Sequence, residues 1–81
     1  MTYGKRIKAA REARGFTQYS LGLAIGTRDA NISRWERDDL VPKVATLVNI
    51  SAALGCALDY LAGVSDAMAL RDDWQDPRTA D

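Results

Sequence analysis

The groups in this chain best suited to recognition chemistry lie in one short run, GTRDANISRWE, residues 26–36. Its arginines and asparagine are hydrogen-bonding groups, suited to binding rather than to making or breaking bonds. Ile32 and Trp35 stand three apart and mark the apolar side of a helix. That leaves Arg28, Asp29, Ala30, Asn31, Ser33 and Arg34 on the opposite side. Taken alone, the run reads as a solvated surface helix; the residues around it change that reading.

Composition removes other chemistries. With no histidine and one cysteine, neither a histidine acid/base mechanism nor a zinc site of Cys and His ligands is expected. Cys56 lies in the apolar run ALGCAL and reads as a small core residue rather than a reactive thiol. No glycine-rich phosphate loop or nucleophile elbow is present. The expectation is a protein that is not an enzyme and needs no cofactor or metal. Its 81 residues allow one small domain. A mean hydropathy of −0.25 and the lack of a long apolar run argue against a membrane protein. The basic N-terminus lacks the apolar stretch of a signal peptide, so a cytoplasmic location is expected.

The net charge of zero hides an asymmetry. Up to Arg37 there are eight Lys and Arg against three carboxylates, a net of +5; from Asp38 onward the count reverses to −5. A basic half either binds a polyanion or is merely well solvated, and charge alone leaves both open.

The elements that must carry these residues are helical throughout. Tyr3, Ile7 and Ala10 fall on one face of a first helix, which Gly15 stops. Thr17 caps a second helix at about 18–25, with Leu21, Ala24 and Ile25 inward. Gly26 makes a tight corner into a third helix at about 28–36. Pro42 opens a fourth helix at a position where its missing N–H costs nothing. Val44, Leu47, Ile50 and Leu54 form the stripe of that helix, which Gly55 ends. Leu58 and Leu61 lie on a short fifth helix. The spacing of Ala67, Leu70 and Trp74 allows a short sixth helix in an acidic tail at 65–81, with disorder expected past Pro77.

Two short helices joined at a glycine, the second with one polar face, make a helix-turn-helix. The run TQYSLGLAIGTRDANISRWE resembles the Cro/phage-repressor type of DNA-binding domain, the lambda-repressor-like or XRE family. Thr17, Gln18, Leu21, Gly26, Ile32, Ser33, Trp35 and Glu36 match its pattern without a gap. The match continues through Pro42, Leu47, Ile50, Ala53, Leu54, Gly55 and the LDYL that starts at Leu58. It spans about residues 4–63. The resemblance implies an all-α, compact five-helix bundle, with residues 1–64 as the DNA-binding domain. Leu21, Ile25, Gly26, Ile32 and Trp35 would form the structural centre of the motif.

The resemblance further implies that the third helix enters the major groove. Its contact positions fall on Arg28, Asp29, Ala30, Asn31, Ser33, Arg34 and Arg37, with Gln18 touching the phosphate backbone and the recognition helix. Arg34 would read guanine, Asn31 would pair with adenine or bond a phosphate, and Ala30 would meet a thymine methyl. Asp29 either accepts from cytosine or, as favoured, stabilises the helix N-terminus or orients Arg28. Arg6 or Arg11 is a candidate phosphate contact. Three positions depart from the family: Gly22 where alanine is usual, Thr27 where an apolar residue is usual and where it is expected to cap the third helix, and Asp38–Asp39 where glycine and a cation are usual.

The function implied is a sequence-specific DNA-binding transcriptional regulator, a repressor of bacterial or phage origin acting at the nucleoid. An antitoxin, a restriction–modification controller, or a module that binds another regulator are alternatives on the same fold. The partners implied are double-stranded DNA with a pseudo-palindromic operator and a second copy of the chain. An antitoxin would add a toxin. The homodimer interface is expected at Tyr60, Leu61, Val64, Met68, Leu70 and Trp74.

Overall fold

The computed structural model describes residues 2–79, and five helices follow one another along them: α1 (Tyr3–Ala13), α2 (Gln18–Ile25), α3 (Asp29–Glu36), α4 (Val44–Leu54) and α5 (Leu58–Ala62). Each starts and stops for a local reason. Thr2 caps α1 by accepting from the Lys5 amide. Thr17 and Ser20 form a reciprocal capping box on α2, satisfying amides that have no partner inside the helix. Gly26 ends α2 with φ 76°, the left-handed conformation that turns the chain sharply into α3. Pro42 is buried and stands before the N-cap Lys43, two residues earlier than the first-turn position expected of it.

The core gathers Ile7, Ala10, Phe16, Leu21, Ile32, Trp35, Leu47, Ile50, Leu54, Cys56, Tyr60 and Leu61. All-α architecture with five helices is as expected, and four apolar assignments need correction. Ile25 is only half-buried at the rim of the core. Val44 is 74% exposed, because the α4 stripe begins to pack only at Leu47. Tyr3 and Leu58 also remain exposed at their helix starts.

The tail departs furthest from the sequence pattern. No helix forms at Ala67–Trp74. Ala69 adopts φ 51°, and the backbone bonds across to the α4–α5 turn instead of to itself. The Ala57 amide donates to the Met68 carbonyl at 2.8 Å, and the Arg71 amide to Gly55 at 2.9 Å. Trp74 then lies half-buried, its indole N–H donating to the Ala53 carbonyl at 2.8 Å and its ring 6.2 Å from Phe16. Beyond Pro77, where disorder was expected, Arg78 stacks on Phe16 at 3.8 Å and donates to the carbonyls of Gly15 and Arg14. Ala80 and Asp81, which that expectation also covers, lie outside the described residues.

Candidate nucleic-acid interface

The polar face of α3 is held from beneath by Ile32 and Trp35, 0% and 7% exposed. Burying side chains of this size contributes roughly 1.5–3 kcal/mol each, enough to fix the helix against its neighbours. Both ends of α3 are also in backbone contact with the body. A Cβ at Gly22 of α2 would stand 2.7 Å from the Thr27 carbonyl oxygen and 3.3 Å from the Arg28 carbonyl carbon. A Cβ at Gly4 of α1 would strike the carbonyl oxygens of Trp35 and Glu36. The glycine at position 22, costly as a helix former, is therefore what lets α2 lie against the start of α3.

Glu36 ties three helices together. Its carboxylate accepts from Arg11 Nε at 2.6 Å, Arg11 Nη2 at 3.0 Å and Gln18 Nε2 at 3.2 Å. The Glu36 hydrogen bonds raise the Arg11 guanidinium above its ordinary pKa, against the opposing pull of burial. Gln18 thus reaches α3 through Glu36.

Arg28, Asp29, Ala30 and Arg34 are exposed on α3. Among the described residues neither the Arg28 nor the Arg34 guanidinium has a hydrogen-bond or ion-pair partner within the chain, whereas the Arg37 guanidinium has two. Arg37 donates to the Ser33 hydroxyl at 2.7 Å and pairs with Asp39 at 3.0 Å. Asp29 occupies the first turn of α3, where a carboxylate favours the helix N-terminus, and makes no ion pair with Arg28. Thr27 does not cap α3: Arg28 is the N-cap residue, without a side-chain bond. The Thr27 hydroxyl accepts from Asn31 Nδ2 at 2.8 Å instead. Asp38 takes the left-handed conformation at φ 62° and accepts from the Gly4 amide.

Much of the basic character of the first half is not on this surface. Arg6 is 4% exposed and donates to the carbonyls of Tyr60 and Ser65 and to Asp66. Arg11, besides Glu36, donates to the Phe16 carbonyl at 2.8 Å. Arg14 lies over the Trp74 ring at 4.0 Å and donates to the Leu54 carbonyl at 2.6 Å. Arg6 and Arg11 are therefore fastenings of the fold rather than phosphate contacts. Their buried spacing was legible: Arg11 stands four residues from Ile7, on the same helix face.

The expected dimer patch is likewise largely consumed by the fold. Leu61 and Tyr60 close the core, Met68 and Trp74 pack against it, and only Val64 and Leu70 of that set stay exposed. Among the described residues no helix is long and apolar enough to cross a membrane.

A helix-turn-helix family model matches residues 7–61. Repressor protein C2 of Salmonella phage P22 is 40% identical over 58 residues, covering 72% of this chain and 27% of that protein. The HTH-type transcriptional regulator ImmR of Bacillus subtilis is 36% identical over 63 residues, covering 78% and 50%. The crystal structure of the P22 c2 repressor in complex with synthetic operator 9T superposes with a TM-score of 0.73 at 35% identity, covering 80% of this chain and 98% of that one. The chain thus spans about a quarter to a half of the length of these curated relatives.

Proposed function

The chain belongs to the helix-turn-helix family, and we propose that it is a sequence-specific transcriptional regulator, a repressor, that lays α3 in the major groove of DNA. The family and its relatives are regulators and repressors rather than enzymes. The observation that carries the reading is the selective exposure of arginine. Arg28 and Arg34 project from α3 unbonded, while Arg6, Arg11 and Arg14 are engaged within the fold. A groove-reading helix requires such free donors, since one guanidinium satisfies O6 and N7 of guanine together.

Arg34 reads guanine, Ala30 meets a thymine methyl, and Arg28 takes a base or a phosphate. Gln18 keeps an amide N–H for a phosphate beyond the one it gives Glu36. Arg37 keeps guanidinium N–H groups for the backbone beyond those it gives Ser33 and Asp39. One short helix reads few base pairs, so the working unit is a homodimer on a pseudo-palindrome, with half-sites about 34–36 Å apart. The interface draws on apolar side chains the core leaves out, among them Val41, Val44 and Val48.

The test is selection of a site from a randomised duplex pool, followed by titration and sedimentation on the selected duplex. Arg34→Ala is expected to lose about 1–3 kcal/mol at one base pair while leaving the fold intact. Equal weakening on every sequence would remove Arg34 from base reading. One protein per palindrome, bound without cooperativity, would remove the dimer.

A further inference from the structure

Two departures from the family pattern, Gly22 and Thr27, are joined in one connected set of contacts. The Thr27 amide donates to the Gly22 carbonyl at 2.8 Å. The Thr27 carbonyl in turn occupies the space where a side chain at position 22 would be, 2.7 Å from that Cβ. Thr27 is thereby held to α2 through its backbone on two sides. Its hydroxyl then takes one N–H of Asn31, a residue one turn further along on α3, at 2.8 Å. Rigid body, turn and recognition helix are linked in sequence, and the last link is a side chain on the candidate reading face.

The bond changes what Asn31 can offer. A free asparagine amide has two donors, one acceptor oxygen and several rotamers, and reaches a phosphate as readily as a base. With one N–H engaged by Thr27, Asn31 keeps one donor and its Oδ1 in a fixed orientation. Oδ1 and the N–H on its own side of the amide complement the N7 acceptor and N6–H donor which adenine presents in the major groove, which requires that Thr27 hold the other N–H. Positioned groups of this kind discriminate better than mobile ones, because less freedom is lost on binding. The apolar residue usual at this position in the family has no hydroxyl to hold the amide.

We propose that Thr27 is a positioning residue for sequence recognition, held by Gly22, and that it sets a preference for an A·T pair through Asn31. The proposal rests on the DNA-binding reading. It concerns base choice and not the affinity common to all DNA.

The probe is the duplex selected by the wild-type protein from a randomised pool, together with every single base-pair variant of it. Asn31→Ala is expected to lose about 5- to 150-fold of discrimination at one A·T pair, the range of one good bidentate contact. Thr27→Val, which keeps the branched shape and loses the hydroxyl, is expected to lose about 3-fold or more at that same pair, with the salt slope unchanged. Thr27→Ala serves as a second variant of the same kind. Thr27→Ser keeps the hydroxyl and should restore discrimination to within about twofold of wild type. In the Asn31→Ala background, Thr27→Val should have no further effect on base choice. Gly22→Ala, by displacing the Thr27 carbonyl, should erode the preference at the same pair.

A Thr27→Val protein that weakens all duplexes alike, that keeps the wild-type preference, or whose loss adds in full to that of Asn31→Ala overturns the proposal. A wild-type protein that binds DNA and shows no A·T preference dependent on Asn31 overturns it while leaving the DNA-binding reading standing. A wild-type protein that enriches no sequence from the pool overturns that reading, and the proposal with it.

Discussion

Arginine has opposite roles on α3 and around α1 and the tail. On α3, Arg28 and Arg34 hold their charge in solvent. Around α1 and the tail, Arg6, Arg11, Arg14 and Arg78 all aim their guanidiniums at backbone carbonyls: Tyr60 and Ser65, Phe16, Leu54, and Gly15 with Arg14. Several of these oxygens lie at or just past helix C-termini, where carbonyls lack partners within the helix and the dipole favours a cation. The second set closes the ends of helices, and the first remains available to a ligand. A count of charges along the chain treats the two sets as one.

The sharpest way to break that comparison is to remove one arginine of each kind. Arg11→Ala leaves the Glu36 carboxylate, 4% exposed, with Gln18 as its remaining side-chain donor. Breaking a buried pair from one side costs about 3–5 kcal/mol, read as a lower urea midpoint. Arg34→Ala should change the same midpoint by no more than about 0.5 kcal/mol, as for an exposed, unbonded residue. Equal destabilisation by the two would abolish the distinction.

Trp74→Ala tests the tail side at a smaller scale. The indole is half-buried, so its truncation is expected to cost about 2–3 kcal/mol, below the range for a fully buried tryptophan. The loss includes the Arg14 cation–π contact and the bond to Ala53. An unchanged midpoint in urea would show that the tail does not contribute to the folded domain.

Acid gives the smallest effect. The Arg78 hydrogen bond, together with the neighbouring charges of Arg78 and Arg14, holds the Asp76 carboxyl below its ordinary value of 3.8. A carboxylate with a lowered folded pKa stabilises above its unfolded value and loses that contribution as pH falls through the lowered one. Wild type should therefore exceed Arg78→Gln in thermal midpoint at neutral pH, and the gap should narrow as pH drops below about 4, leaving the part that comes from the Phe16 stack and the carbonyl bonds of Arg78. A difference that persists undiminished at pH 2 would mean that Asp76 is not the partner that matters.

What could be read from the sequence was whatever depends on neighbours within a few residues. The helices, the corner at Gly26 and the burial of Leu21, Ile32 and Trp35 follow from local spacing and turn chemistry. Phe16 escaped notice because it sits between Gly15 and Thr17, in no helical register, although it is 3% exposed. The tail was misread for the opposite reason. Ala67, Leu70 and Trp74 have helical spacing, and the partners that decide their conformation, Gly55, Ala57, Ala53 and Arg14, are far away in the chain. At the candidate interface the outward residues were legible, but which of them are already bonded was not. The Ser33–Arg37–Asp39 and Thr27–Asn31 contacts depend on rotamers that residue types do not specify.

The glycines under the two ends of α3 have a consequence for redesign. At Gly22 and Gly4 the helix rests on bare backbone, so its seat owes little to the outward side chains. Arg28, Ala30 and Arg34 can be exchanged without altering the surface by which α3 is mounted. The bundle is in this sense a chassis with an interchangeable head: a library randomised at those three positions should return folded proteins at high frequency, whereas one that includes positions 4 and 22 should not.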